Sequence, residues 1–356
     1  MTDPSTAPSA LSFPRETFAK LSPGPFLLAH LKPASTRTPP VRPNGRAPLD
    51  FRQPQINTGS LSHSNGSAVV RVGDTAVVCG VRAEILRAQD VPQPYRPNVV
   101  GEGEGRGVQR DDEREDAREV EELGLLVPNL ELSTGCSPQH LPGNAPSTQA
   151  QSLSQRILSL LYVSRLIRAS DLRIQYHEPA TDDDLPDAPP RIVTKAYWTL
   201  YIDILVMSLD GNAFDAAWAA VVAALRDTRL PRAEWTPDLE TAICSPLASD
   251  ASRLNLRGLP IASTFRVFNT ESHMKSRSEA ESWVLADPDG FEEELCRESV
   301  TVVVSQGNEG MAGRGGVMSL EKSGGVVVGR ERMRELVELA MGRWVEWEAA
   351  LKGVDT

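Results

Sequence analysis

Two apolar, β-branched runs joined at a tight turn constrain this chain more than any other feature. Gly66-Ser67-Ala68-Val69-Val70-Arg71-Val72 leads to Gly73-Asp74, and Thr75-Ala76-Val77-Val78-Cys79-Gly80-Val81-Arg82-Ala83-Glu84 follows. Glycine adopts the positive φ of a tight turn without steric cost, so the stretch reads as a β-hairpin. Ile56-Asn57-Thr58-Gly59-Ser60 runs into it through a Ser/Asn/Gly turn.

The hairpin opens an alternation of strands and helices. Pro146-Ser147-Thr148 offers a helix N-terminus, and Leu153, Ile157, Leu160, Leu161, Ser164 and Ile167 recur at helical spacing, which predicts a helix to about Arg168. Ile192 to Val206 alternates as one long strand, broken by Asp210-Gly211-Asn212, and the Ala-rich run Ala213 to Leu225 reads as a buried helix. Ile261–Phe268, Ser282–Ala286, Ser299–Ser305 and Val326–Val328 are further strand candidates. Glu271–Glu281 reads as a polar insertion, and a last helix over 331–351 puts Met333, Val337, Ala340, Met341, Trp344, Trp347 and Leu351 on one side. Residues 1–40 read as a disordered tail (to about residue 12) and a docking arm, with a short helix within Arg15–Leu31. A first domain spans 41–233 and a second 234–356.

With 356 residues, more than one core is expected, and 27 prolines with 26 glycines point to long inserts. Gly101 to Glu122 holds ten acids against four arginines and supplies −6 of the net charge of −11. So polar a stretch reads as a mobile acidic loop, with a second insert at 179–190. The acidic balance disfavours an autonomous nucleic-acid binder, which needs clustered Lys and Arg. No apolar run approaches the roughly 20 residues that span a bilayer, and the N-terminus lacks a leader pattern, so a soluble, unsecreted chain without membrane contact is expected. Cys79, Cys136, Cys244 and Cys296 are scattered, and reduced, mostly buried thiols are expected.

Arg42-Pro43-Asn44-Gly45-Arg46, Asp50-Phe51-Arg52, the hairpin, the strand ending at Asp210-Gly211, and Ala286-Asp287-Pro288 with Glu292-Glu293-Glu294 together resemble the RNase PH family. Within it they look most like a ring subunit of the eukaryotic RNA exosome. The resemblance implies an α+β, RNase PH-like fold of two mixed βαβ lobes, with helices packed on the sheets. It further implies no cofactor and no metal. The partners it implies are other RNase PH-like subunits (ribosomal RNA-processing protein 46 as pair partner), S1/KH cap subunits, an associated processive ribonuclease, and RNA threading the assembled pore. Nucleus, nucleolus and cytoplasm are the compartments it implies.

Active members of the family use phosphate to attack an RNA 3′ end, so an anion must be held by fixed cations and N–H donors. They place Gly-Gly-Thr-Arg at the strand-to-helix turn, where this chain has Asp210, Gly211, Asn212, Ala213, Phe214 and Asp215. By that resemblance Ala213 replaces a phosphate-binding hydroxyl, Phe214 replaces the arginine, and Asp215 adds repulsion. Pro142 to Gln149, ahead of the earlier helix, has no arginine either. No catalytic residue is therefore expected, and the chain reads as a non-catalytic wall of the ring. A phosphorolytic exoribonuclease completed by a neighbour is the enzymatic alternative.

Arg42, Arg46, Arg52, Arg71 and Arg82 are the candidate RNA contacts, each weighed against an ion pair. Asp287 and Glu293 fall where active relatives carry carboxylates, with solvated acids at a strand-end turn as the plainer reading. Trp344 and Trp347 read as core rather than as a base-stacking platform. His30, His63, His140, His177 and His273 show no metal-ligand spacing, and Gly101–Gly105 lacks the ending of a phosphate loop.

Overall fold

The computed structural model describes residues 13–33, 39–91, 108–138, 140, 147–178, 191–270, 282–306, 316–325 and 328–354. The expectations for residues 1–12, 101–107, 142–146, 179–190 and 271–281 lie outside them.

The hairpin forms as read: β2 (Gly66–Val72) pairs with β3 (Thr75–Arg87) across Gly73, whose φ is +61°. β1 (Pro54–Thr58) flanks β2. β3 pairs with the long β6 (Arg191–Ser208), and β4 (Leu126–Leu132) lies parallel to β6, so the first sheet is mixed. β5 (Arg173–Glu178) also pairs with β6. On β6, Leu200, Ile202, Ile204 and Val206 turn inward and are buried, while Leu205 and Met207 face out. That is the period-2 alternation expected of a sheet with one solvated face.

Of the helices that reach this core, two bear on the site. α4 (Thr148–Ser164) is capped by the Ser147 side chain accepting from Ala150 N–H, and it ends at Arg165 rather than at Arg168 because Arg165 turns left-handed at φ 48°. α6 (Ala213–Asp227) is buried from Ala213 to Leu225, because it touches β2, β3 and β6 on one side and β11 (Leu259–Asn269) on the other. Alanines let both sheets approach. Gly66 serves the same end, since a Cβ there would lie 2.5 Å from Thr228 Cα.

The second sheet has the order β12 (Ser282–Ala286), β11, β13 (Glu298–Gln306), β14 (Gly316–Ser323), all antiparallel. α7 (Gly290–Leu295) joins β12 to β13, and α8 (Arg330–Val354) packs on β13 and β11. Trp344 and Trp347 are buried in the core shared with the first sheet, and Trp344 Nε1 donates to Leu259 O at 2.7 Å. The fourth strand is Gly316–Ser323; of the candidate Val326–Val328, residues 326 and 327 lie outside the described residues and Val328 is in no strand. Two short ribbons, β7 (Arg229–Leu230) with β10 (Ser252–Arg253) and β8 (Ala233–Thr236) with β9 (Thr241–Cys244), complete the strands among the described residues.

The acidic stretch departs most from expectation. Residues Val108–Glu122 form a helix, α3, not a loop. Arg173 explains its docking, because it pairs with Asp116 at 3.1 Å and with the buried Glu119, beside α5 (Ala169–Leu172). The N-terminal arm is two short helices, α1 (Arg15–Leu21) and α2 (Pro23–Leu31), and Leu27 and Leu31 are buried against Leu285 and Cys296. All four cysteines are free thiols, and burial pushes Cys296 up to about 12.

Candidate functional site

The strand-to-helix turn lies where the two sheets meet around the N-terminus of α6. Gly211 has φ +71°, and a Cβ there would sit 2.4 Å from the Asp289 carbonyl carbon, so only glycine fits. Thr75 ties the turn down, donating its hydroxyl to Gly211 O (2.8 Å) and accepting from Asp210 N–H (3.0 Å). Asn212, also left-handed at φ 53°, does not cap α6 with its side chain. Its Nδ2 instead donates to Asp215 Oδ2 (2.8 Å) and Asp287 Oδ1 (2.7 Å).

Those two carboxylates are the centre of a polar chain between the sheets. Asp215 is buried and accepts from Thr264 N–H and Thr264 Oγ1, each at 2.7 Å. Because the Thr264 proton goes to Asp215, the Thr301 hydroxyl 3.0 Å away donates to Thr264. Arg156 of α4 then donates to Thr301 Oγ1 at 3.3 Å. At the other end Arg52 grips Asp287 with Nε (2.9 Å) and Nη2 (2.8 Å), while Nη1 donates to Asp210 O (2.8 Å).

Burial pushes the Asp215 carboxyl up, against the pull of the Thr264 and Asn212 donors, and the charge of Asp287 adds to the rise. Burial acts on Asp287 in the same sense, but the hydrogen bonds and charge of Arg52 outweigh it and hold Asp287 at about 2. One carboxylate has a cation and its neighbour has only neutral donors, so the two move in opposite directions.

Phe214 itself meets an arginine. The Arg156 guanidinium lies over its ring, 3.9 Å from the centroid, and also pairs with Glu321 at 2.8 Å. Nothing in the sequence marks Arg156 as part of the site, because it belongs to a helix whose other face carries the apolar pattern. Asp215 also differs from expectation: it faces inward to Thr264 rather than outward to an approaching anion.

Of the candidate RNA contacts, Arg42 is withdrawn. Its side chain has no exposed surface and is caged by Glu292 (3.2 Å) and the carbonyls of Pro48, Asp50 and Ala286. Arg52 is nearly as buried, committed to Asp287. Arg46 lies half-buried 3.5 Å from the same carboxylate. Arg71 and Arg82 are exposed and remain reachable, beside Asp74 and Asp203 respectively, each at 3.4 Å. Asp287 is likewise no solvated acid: it is 1% exposed. Glu293 pairs with Arg266 at 3.4 Å. Among the described residues no group of His, Cys, Asp or Glu is arranged to hold a metal ion.

Residues 50–231 match the profile of the 3′ exoribonuclease family, domain 1. The chain belongs to the RNase PH family. It is 31% identical over 334 residues to "Exosome complex component rrp43" of Schizosaccharomyces pombe, covering 94% of this chain and 97% of that one. It is 26% identical to "Exosome complex component Rrp42" of Methanothermobacter thermautotrophicus, covering 84% and 85%. Val127-Pro128-Asn129-Leu130 with Thr58-Gly59-Ser60, a pattern similar to ribosomal RNA-processing protein 43, agrees with the fission-yeast likeness. Two solved structures share the RNase PH fold. One is titled "archaeoglobus fulgidus exosome with RNA bound to the active site" (TM-score 0.58, 21% identity, 91% of this chain and 96% of that one). The other is titled "Archaeal exosome core" (TM-score 0.57, 19% identity, 97% and 100%).

Proposed function

We propose that this chain is a non-catalytic ring subunit of an exosome-type complex, supporting 3′-to-5′ RNA processing and degradation by walling the path to an associated nuclease. The observation that carries the reading is the commitment of charge at the turn. Arg52 is bound to Asp287 and Arg156 to Glu321 and the Phe214 ring, so neither guanidinium is left to grip inorganic phosphate. Releasing Arg52 would strand the buried carboxylate of Asp287.

The open face of the first sheet supports assembly. Val127, Leu205 and Met207 stand exposed on it among Asn129, Asp203 and Glu131, a mixed apolar and polar face suited to a second RNase PH-like chain. Ribosomal RNA-processing protein 46 is the pair partner we propose, with S1/KH caps above the ring, in nucleus, nucleolus and cytoplasm.

The test has two arms. Native mass spectrometry of the complex recovered with this chain should return a multi-subunit ring, and a lone dimer counts against it. The purified chain, incubated with oligouridine and phosphate, should release no nucleoside diphosphate, and release at a rate proportional to enzyme would restore a phosphorolytic reading; release by the recovered complex that is lost on Asp287→Asn would restore the reading with a site completed by a neighbour.

A further inference from the structure

β12 ends the second sheet, so one of its edges has no strand beside it. In the antiparallel ladder with β11, the backbone groups of successive residues point alternately towards the partner strand and away from it. Ala286 points away, because its N–H donates to Pro48 O at 2.9 Å and its carbonyl accepts from Arg42. Val284 therefore points the same way. Its outward N–H and C=O have no partner among the described residues, although the residue is only 7% exposed. An unpaired edge of this kind is a template for another strand.

The edge borders a groove. Two cavities, of about 780 and 600 Å³, adjoin at Leu49, Val284 and Arg332, which line both. The larger runs between the segment ahead of β1 and α8, with Phe51, Leu336 and Leu339 among its walls, and Leu49 stands 44% exposed at the junction. Arg46 also lines it, and Arg46 Nη2 is buried without an acceptor. The nearest carboxylate, Asp287, is 3.5 Å from Arg46 Nη1 and is already held by Arg52. Trp283 lines the smaller cavity, and its Nε1 is likewise buried without an acceptor.

Most other charges around the groove are matched. Arg332 pairs with Glu335 at 2.9 Å, Arg343 pairs with Glu346, and Asp50 accepts from the Ala47 N–H at 3.0 Å, which leaves Glu338 on the exposed rim. With four acids to three arginines in its walls, the larger cavity does not suit a nucleic acid. The unmet needs are those of a polypeptide: main-chain partners for Val284, an apolar side chain against Leu49, and a carboxylate for Arg46.

We propose that the β12 edge and the groove beside α8 take an extended segment of another polypeptide, which adds a strand at Val284 and places a carboxylate on Arg46. Main-chain hydrogen bonds would set its register, and the apolar walls and Arg46 would select its alternate side chains. The carboxylate gives a charge-assisted bond that Asp287, committed to Arg52, does not supply. The proposal does not depend on the ring reading.

The probe is a fluorescein-labelled, strand-forming hexapeptide of valine, leucine and threonine with one glutamate, titrated into the full chain by anisotropy. Binding should saturate. Exchanging the glutamate for glutamine should weaken it about tenfold with wild type and leave it unchanged with R46Q, the size expected of one hydrogen bond to a charged group. L49E should also cost about tenfold, since it takes away the apolar contact, and N-methylation of the central peptide amides should abolish binding. Thermal unfolding reports whether the variants fold; Leu49 is exposed, so L49E and the N-methylated peptide decide even if R46Q does not fold. In the complex recovered with this chain, p-benzoylphenylalanine in place of Leu49 should cross-link to a different polypeptide. Absence of saturable binding, or affinity indifferent to both L49E and N-methylation, overturns the proposal. A cross-link to RNA or to any segment of this chain's own sequence, from the same or a second copy, overturns it as well.

Discussion

Arg52 and Asp287, 235 residues apart, are joined by three hydrogen bonds: from the Arg52 backbone N–H and Nε to Oδ2, each 2.9 Å, and from Nη2 to Oδ1, 2.8 Å. The pair bridges the segment entering β1 and the end of β12, so it fixes one sheet against the other. Removing one partner leaves the other as a buried, uncompensated charge.

Asp287→Ala should therefore lower the unfolding free energy by about 3–5 kcal/mol. Urea unfolding at pH 7 measures it, and a loss within the range of ordinary surface substitutions would show that the pair is not a joint.

The pH dependence follows from the opposite shifts of the two aspartates. Asp287 sits at about 2 when folded, below its unfolded value, so its stabilisation is present above about pH 4 and is lost as pH falls towards 2. Asp215 is shifted up, so its contribution has the reverse sign: it favours the folded state at low pH and is lost as pH rises through the folded value. Stability should fall between pH 4 and 2 in wild type and less steeply in Asp287→Asn, whereas Asp215→Asn should leave that fall unchanged and reduce the loss of stability as pH rises above about 4. Urea midpoints from pH 2 to 7 decide.

Restoring an arginine to the turn should harm the fold rather than create a phosphate site. Phe214→Arg places a second guanidinium where the Arg156 cation now lies 3.9 Å from an aromatic ring. A loss of about 2 kcal/mol is expected from the cation–π contact and repulsion together, with partial rescue by Arg156→Ala in the double variant. A thermal-melt double-mutant cycle showing simple additivity would remove Arg156 from the site.

Gly211→Ala should cost at least about 2 kcal/mol, because strain at φ +71° is joined by collision with the Asp289 backbone. Gly45, at φ +89° with open space around it, provides the control, and Gly45→Ala should cost about 1 kcal/mol. Equal losses in chemical denaturation would place the whole effect in backbone strain.

The hairpin, β6, α4, α6 and α8 were legible because periodicity reports which face is buried, and Leu200, Ile202, Ile204 and Val206 report it cleanly. α3 was not, because composition ranks Val108–Glu122 among solvated chains while Arg173, some fifty residues later, supplies the charge that docks it. β14 escaped for a related reason: an edge strand with exposed Val317 and Leu320 carries little of the buried-face pattern. At the site, the turn itself was readable residue by residue. Its buried wiring was not, since Arg52, Thr264, Asp287 and Arg156 come from four separate stretches of chain and meet only when the sheets close.

Arg42 and Glu292 are 250 positions apart, yet each is the other's charged partner in an environment with no solvent. At about 5–20 residues per second of synthesis, roughly 12–50 seconds separate their appearance at the ribosome. Throughout that interval Arg42 has no Glu292 to pair with, so the arm can lock only late in the making of the chain.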